Sequence, residues 1–267
     1  MEWFPLGTEV YVILFFVAMI AGFIDSIAGG GGLIGLPALL SVGLPPAQAL
    51  ATNKLQSIGG SFSASLYFIR QKAVDLKGQR WTILLTFIGA MIGAILIQHI
   101  QADILRAVLP VLVIAIGLYF LFSPKVGELE RQQRLTVWPF AFCIGFCIGF
   151  YDGFFGPGAG SFFALGYVTL QGFTLTRATA HAKVLNFTSN LASLLFFILG
   201  GKVIWSIGLV MLCGQVIGAR TGARMVLSKG QKLIRPMLIA VSFIMSIKLI
   251  YDSHGAEIQS WLSQFFR

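Results

Sequence analysis

The chain has 267 residues, of which 57% are hydrophobic and only 11% are charged. Soluble domains carry about 25% charged residues, so this composition argues against a soluble enzyme. Several apolar runs approach the roughly 20 residues that a helix needs to cross a bilayer. The net charge of +9 comes from bases in short loops between these runs, which is typical of cytoplasmic loops facing membrane lipids and not of a nucleic-acid surface. Composition therefore predicts an all-α polytopic integral membrane protein.

The first half, residues 1–123, is predicted to form one transmembrane repeat. Its apolar elements are 11–28, 33–42, 47–69, 81–98 and 105–122. The second element is only about half a membrane span long. The third carries too many polar side chains for a helix that faces lipid, so it must face protein or water. Residues 70–80 form a basic loop between the third and fourth elements.

The second half, residues 137–251, repeats this order after a polar linker over 124–136. Its predicted elements are 137–155, 161–170, 176–199, 204–219 and 236–251. Residues 220–235 are predicted to form a strongly basic loop. The tail, 252–267, is amphipathic and could either lie in the membrane interface or cap the helix bundle.

An acid and a lysine recur in both halves and show that the chain is internally duplicated. Gly-Phe-x-Asp ends at Asp25 and again at Asp152, and Ala-x-Ala-x-x-Lys ends at Lys54 and again at Lys183. The acid and the lysine are 54 − 25 = 29 residues apart in the first copy and 183 − 152 = 31 in the second. A two-residue insertion therefore lies between the two landmarks of the second copy.

The basic loops change place between the halves. The loop after the third element is basic in the first half (70–80), whereas its counterpart in the second half carries only Lys202. The loop after the fourth element is basic in the second half (220–235), whereas its counterpart in the first half has only Arg106 at its edge. This is the pattern of an inverted-topology repeat. We expect loops 70–80, 123–136 and 220–235 to lie on the cytoplasmic side of the cell inner membrane. If the short segments cross the membrane, both termini lie outside, and if they re-enter, the charge rule fails in one half; we favour crossing.

Lys54 and Lys183 sit where hydrocarbon would be expected. A lysine at the bilayer centre costs about 2.5–3.5 kcal/mol, so an interaction must offset that cost. The lysines could bind an anionic substrate, or they could pair with Asp25 and Asp152 to hold helices together. Recurrence of the lysine in both halves favours substrate binding. The aspartates could instead carry protons, bind a cation or cap the helices that follow them.

Glycine-rich breaks follow each aspartate, at Gly29–Gly32 and at 156–158. No strand precedes them and no P-loop signature is present, so a nucleotide site is not expected. Irregular backbone at membrane depth survives only beside a cavity or inside protein. The short helices that follow would aim N–H groups at an anion, although close helix packing would also explain the glycines.

We expect the substrate site to combine the acids, lysines and glycine breaks with nearby polar side chains. Its predicted members are Asp25, Gly29, Gly30, Gly31, Asn53, Lys54, Ser57, Asp152, Gly156, Gly158, His181, Lys183 and Asn186. The histidine could relay protons, but a packed or cavity-lining role is the more ordinary interpretation.

No residue pattern indicates an enzyme, a metal site or a cofactor. The set of His, Cys and carboxylate residues lacks metal-ligand spacing, and no Gly-x-Ser-x-Gly elbow is present. Cys143, Cys147 and Cys213 lie in apolar runs, where we expect them to be small buried hydrophobic residues.

The motifs together resemble those of the TauE/SafE sulfite exporter family. The first copy reads GFIDSIAGGGG with ALATNKLQ, and the second reads GFYDGFFGPGAGSF with ATAHAKVLNFTSN. The resemblance covers nearly the whole chain and implies a permease for sulfite, sulfonates or other small organosulfur or carboxylate anions. The second copy has Ala182 where the first has Asn53, so the two half-sites are not equivalent.

These observations predict an inner-membrane secondary transporter that exports a small anion by alternating access between two repeats. An anion channel with the same site and a transporter of small carboxylates are the alternatives, and a homodimer is left open.

Overall fold

The computed structural model describes residues 7–100 and 132–229, which form eight helices and no strands. These are α1 (Thr8–Ala28), α2 (Gly32–Ser41), α3 (Pro46–Arg70), α4 (Arg80–Ile97), α5 (Val137–Phe154), α6 (Ala159–Leu170), α7 (Leu175–Leu199) and α8 (Trp205–Lys229). The predicted spans 105–122 and 236–251, the tail 252–267 and most of the linker 124–136 lie outside the described residues.

Five of these helices, α1, α4, α5, α7 and α8, are long and apolar enough to cross a membrane. α2 and α6 are shorter apolar helices. α3 has 25 residues but buries a row of polar side chains inside the protein, as expected for a helix that avoids lipid. The prediction of an all-α multi-pass membrane protein is therefore confirmed.

Local sequence explains where the helices are interrupted. α1 ends at Ala28 and is capped by Gly29, whose backbone is left-handed with φ of 77°. This conformation costs residues with a side chain about 1–2 kcal/mol. The second break contains Gly156 and Gly158, with φ of 94° and 79°. α3 begins at Pro46, because proline at the first helical position gives up no intrahelical hydrogen bond.

Two sequence predictions need correction. The basic segment 220–235 is not a loop over its described part, because α8 continues without interruption to Lys229. Arginine, alanine and methionine are good helix formers, and charge alone does not end a helix. The three cysteines are exposed and not buried, since they lie on helix faces turned away from the bundle.

Glycine-lined seams fix the directions of the outer helices. A Cβ atom on Gly214 would lie 2.2 Å from the carbonyl oxygen of Phe15, and one on Gly222 would lie 2.4 Å from that of Phe23. Residue numbers thus increase together along α1 and α8, so these helices run parallel. α3 also runs parallel to α8, because Leu55 contacts Gly208 and the Ser63 hydroxyl bonds to the carbonyl of Val216. With α1 and α3 parallel, α2 must return the chain between them.

The same arrangement recurs around α4. A Cβ atom on Gly89 would meet the carbonyl of Phe146, and one on Gly93 would meet that of Phe150, so α4 and α5 run parallel. α3 and α7 run in opposite directions. Phe197, near the end of α7, belongs to the same apolar cluster as Leu50, near the start of α3.

Three apolar clusters surround a polar centre. One lies among the starts of α1, α3 and α8, the second around α5, α6 and the start of α7, and the third where α3 ends beside α8. Between them the polar side chains of α3 and α7 meet the glycine breaks. This layer brings the two motif copies together.

Candidate functional site

Two buried ion pairs join the halves of the chain. The Lys54 Nζ lies 2.7 Å from the Asp152 Oδ1, and the Lys183 Nζ lies 2.8 Å from the Asp25 Oδ2. The two lysine side chains are 2% and 1% exposed. Each lysine therefore takes the aspartate of the other half as its partner, which is one of the two roles that the sequence left open.

Each aspartate accepts further hydrogen bonds. The backbone N–H of Gly31 donates to the Asp25 Oδ1 at 3.2 Å, and the Asn186 Nδ2 lies 3.5 Å from the Oδ2 of the same carboxylate. The Ser189 hydroxyl donates to the Asp152 Oδ2. An ammonium and two amide N–H donors thus converge on Asp25, and an ammonium and a hydroxyl donor converge on Asp152. Such charged and polar donors are what an oxyanion requires.

The helix breaks supply part of this environment. The backbone N–H of Gly31, at the start of α2, points at Asp25, as a helix N-terminus is expected to point at an anion. Just before the second break, the backbone carbonyl of Asp152 accepts a hydrogen bond from the Lys54 Nζ at 2.5 Å. The breaks therefore hold the aspartates in place and also orient the lysines.

The two breaks also pack directly against each other. A Cβ atom on Gly29 would lie 2.3 Å from the backbone nitrogen of Ser161, and one on Gly160 would lie 2.9 Å from the Cα of Gly29. The Ser161 hydroxyl donates to the carbonyl of Ala28. The close-packing explanation of the glycines and the broken-helix explanation therefore both apply.

A small cavity lies between the two ion pairs. It encloses about 10 Å³, which is room for about one water molecule. Its lining includes most of the residues predicted for the site: Asp25, Gly29, Asn53, Lys54, Ser57, Asp152, Gly156 and Asn186. The described residues therefore leave no room at the centre for an anion larger than water.

The other predicted residues lie around this cavity or away from it. Lys183 and Gly31 donate hydrogen bonds to Asp25, which lines the cavity. Gly30 and Gly158 belong to the breaks. His181 lies elsewhere, in the wall of a second cavity. Its Nε2 accepts a hydrogen bond from the backbone N–H of Asp75 at 3.1 Å, and its Nδ1 lies 2.9 Å from the carbonyl of Arg177.

Sequence reasoning missed four polar or small residues of this centre. They are Gly32, Gly160, Ser189 and Asn190. Asn190 lies four residues after Asn186 and donates to its Oδ1 at 3.0 Å. That spacing places both amides on one helix face and could have identified Asn190. Nothing in the sequence singles out Ser189 among the serines of α7.

Among the described residues, no group of three or more His, Cys, Asp or Glu side chains could hold a metal ion. The lysines occupy the positions beside the carboxylates that a cation would need. A cation at either carboxylate would therefore have to displace the lysine that is paired with it.

Comparison with known proteins places this arrangement in a family. The family model described as sulfite exporter TauE/SafE matches residues 14–249. The chain belongs to the TauE/SafE family of membrane transporters. The match spans both motif copies and therefore includes both ion pairs.

Related proteins match over nearly their whole length. The chain is 66% identical to the probable membrane transporter protein YfcA of Escherichia coli K12, over 94% of this chain and 93% of that protein. It is 53% identical to a probable membrane transporter protein of Haemophilus influenzae, over 92% and 97% respectively. It is 48% identical to the probable membrane transporter protein ORF9 of a Sinorhizobium species, over 96% and 98%.

Proposed function

We propose that the protein is an inner-membrane secondary transporter that exports a small anion, such as sulfite, a sulfonate or a related organosulfur oxoanion. One observation carries the proposal: each buried lysine is held by a carboxylate from the other half of the chain. The aspartate oxygens sit among ammonium, amide and hydroxyl donors, and a substrate oxyanion would use the same donors. The family's description supports sulfur oxoanions as the first candidates.

The ion pairs also favour proton coupling. The two lysines and two aspartates at the centre sum to zero charge, and an added anion would leave one uncompensated negative charge in a buried site. Such a charge is expensive unless it is paired. A proton taken up together with the anion would keep the centre neutral. We therefore expect anion binding to take up a proton.

The halves are proposed to be inverted repeats that rock against each other. The opposite directions of α3 and α7 support this arrangement, as does the exchange of basic loops between the halves. Both lysine–aspartate pairs among the described residues bridge the halves. Opening to either side therefore requires exchange of these contacts. We propose that loops 70–80 and 123–136 face the cytoplasm.

The test is a ligand screen on the purified protein followed by flux in proteoliposomes. Sulfite, thiosulfate, taurine, sulfoacetate and small carboxylates are compared by thermal shift on the wild type, on Lys54→Ala and on Lys77→Ala. Lys77 is exposed and serves as a matched control for the lost charge. We expect an anion that stabilises the wild type and Lys77→Ala but not Lys54→Ala.

The same anion should then show saturable flux that responds to a proton gradient. Flux that rises without saturation would identify an anion channel with the same site. Stabilisation by cations alone would overturn the proposal, because two lysines at the centre oppose cation binding.

A further inference from the structure

A second, larger cavity lies away from the central ion pairs. It encloses about 270 Å³, slightly below the range of about 300–1,000 Å³ typical of ligand pockets. It lies among the N-terminal ends of α4, α5 and α7, the C-terminal end of α6 and the loop before α4. None of the four residues of the central ion pairs lines this cavity.

One buried donor in this cavity has no partner among the residues that the structure describes. Gln79 is only 4% exposed, and its Oε1 accepts a hydrogen bond from the Tyr167 hydroxyl at 2.7 Å. Its Nε2 has no hydrogen-bond partner in the part of the chain that the structure describes. A buried N–H left unpaired costs free energy, so the amide is set to donate to a ligand.

The walls combine aromatic faces with a positive charge. Phe173 stacks on Tyr167 with ring centroids 5.5 Å apart, and His181 meets Phe173 edge-on at 5.0 Å. The guanidinium of Arg177 lies 3.9 Å from the centroid of the Phe173 ring. Asp75 also lines the cavity, but its Oδ1 accepts the backbone N–H of Gly78 at 3.0 Å.

The corresponding place in the other half is filled. The shift that relates the two motif lysines, 183 − 54 = 129, relates Gln79 to Gly208 and Thr82 to Met211. Met211 is fully buried in an apolar cluster, and Gly208 packs closely on Leu55. The repeated fold therefore does not itself create the cavity, which arises from side chains particular to the second half and its neighbours.

We propose that this cavity binds a small organic anion with a flat apolar body. The acid group takes the free N–H of Gln79 and the charge of Arg177, and the body packs against the aromatic side chains that line the cavity. Binding here goes beyond the proposed transport function, because the cavity is built from residues that do not take part in either ion pair.

The experiment is titration calorimetry of benzoate into the full-length protein in detergent. Gln79→Glu keeps an acceptor for the Tyr167 hydroxyl but replaces the free donor with a carboxylate. We expect the wild type to bind benzoate and Gln79→Glu to bind it at least about tenfold more weakly, the effect of one hydrogen bond to a charged group. Arg177→Gln, at the exposed rim, should weaken binding to a similar extent. Gln48→Glu, at the position equivalent to Arg177 in the first half, is the matched control and should bind as the wild type does.

Two further titrations separate the possible outcomes. Acetate lacks the flat body and should bind at least about tenfold more weakly than benzoate, since it cannot contact the aromatic walls. Lys54→Ala should retain benzoate binding, even if transport of every anion fails. The proposal is overturned if the wild type does not bind benzoate, or if both Gln79→Glu and Arg177→Gln bind it normally. Loss of benzoate binding in Lys54→Ala alone, in a sample that still shows a cooperative unfolding transition, would place the anion at the centre and also overturn the proposal.

Discussion

At the scale of single residues, the centre of the protein is governed by the cost of burying charge. A lysine removed from water needs a carboxylate or several acceptors close to it. Lys54 and Lys183 each obtain a carboxylate from the opposite half. The pairs therefore satisfy both charges and also tie the halves together, so their role in stability cannot be separated from their proposed role in binding.

Removal of one lysine should destabilise the protein strongly. Lys54→Ala leaves Asp152 buried without its cation, which costs about 3–5 kcal/mol in comparable buried pairs. The double variant Lys54→Ala/Asp152→Ala leaves no orphaned charge and should recover part of this loss. Thermal unfolding in detergent measures both, with Lys77→Ala as the exposed control. If Lys54→Ala proved as stable as that control, the buried pair would contribute nothing.

At the scale of elements, the loops after the third helix of each half are tied to the third helix of the other half. The backbone N–H of Asp75, before α4, donates to His181 on α7. The backbone N–H of Ile204, before α8, donates to the hydroxyl of Thr52 on α3. His181 and Thr52 occupy matching positions of the two motif copies. The same connection is therefore made by a titratable side chain in one half and by a hydroxyl in the other.

Loss of the histidine acceptor should loosen the loop over 71–79. His181→Phe removes one hydrogen bond, worth about 0.5–1.5 kcal/mol, so the Asp75 amide should exchange its hydrogen up to about tenfold faster. His181→Gln retains an acceptor oxygen and should restore much of the protection. Hydrogen–deuterium exchange of this segment provides the measurement.

The same bond should weaken as pH falls. A protonated imidazole donates from both nitrogens and cannot accept the Asp75 N–H. Protection of the loop should therefore be complete at high pH and lost at low pH in the wild type but not in His181→Gln. Equal pH dependence in both proteins would show that another group controls the loop.

At the scale of the whole molecule, two sets of parallel helices meet at the polar centre. α1 and α3 run parallel to α8, and α5 runs parallel to α4, whereas α3 and α7 run antiparallel to each other. Small residues line these seams because a side chain there would strike a neighbouring backbone. Elements that correspond in the duplication thus form equivalent contacts, and the two breaks meet where the halves join.

The proposed inverted topology predicts which loops share a side of the membrane. A single cysteine at Lys72 should be labelled by an impermeant maleimide only after the cells are permeabilised. A single cysteine at Lys202 should be labelled in intact cells. The background replaces the exposed Cys143, Cys147 and Cys213 with serine. Labelling of both positions from one side would contradict the inverted arrangement.

The sequence by itself determined the class of fold and the helix positions. Hydropathy and the positions of glycine and proline located every described helix to within a few residues. The end of α8 is the exception, because its last ten residues combine basic charge with high helix propensity. The duplication also identified the two acids and two lysines without any structure, since charge at membrane depth is conspicuous in sequence.

Only the tertiary structure decided the partners of these residues. Whether Lys54 would pair with Asp25 of its own half or with Asp152 depends on how the halves pack, and no local pattern encodes that. The unpaired amide of Gln79 was likewise invisible in sequence, because an unsatisfied donor is defined by what surrounds it. Local chemistry thus fixed which groups had to be neutralised, and the packing of one half on the other determined which group neutralises which.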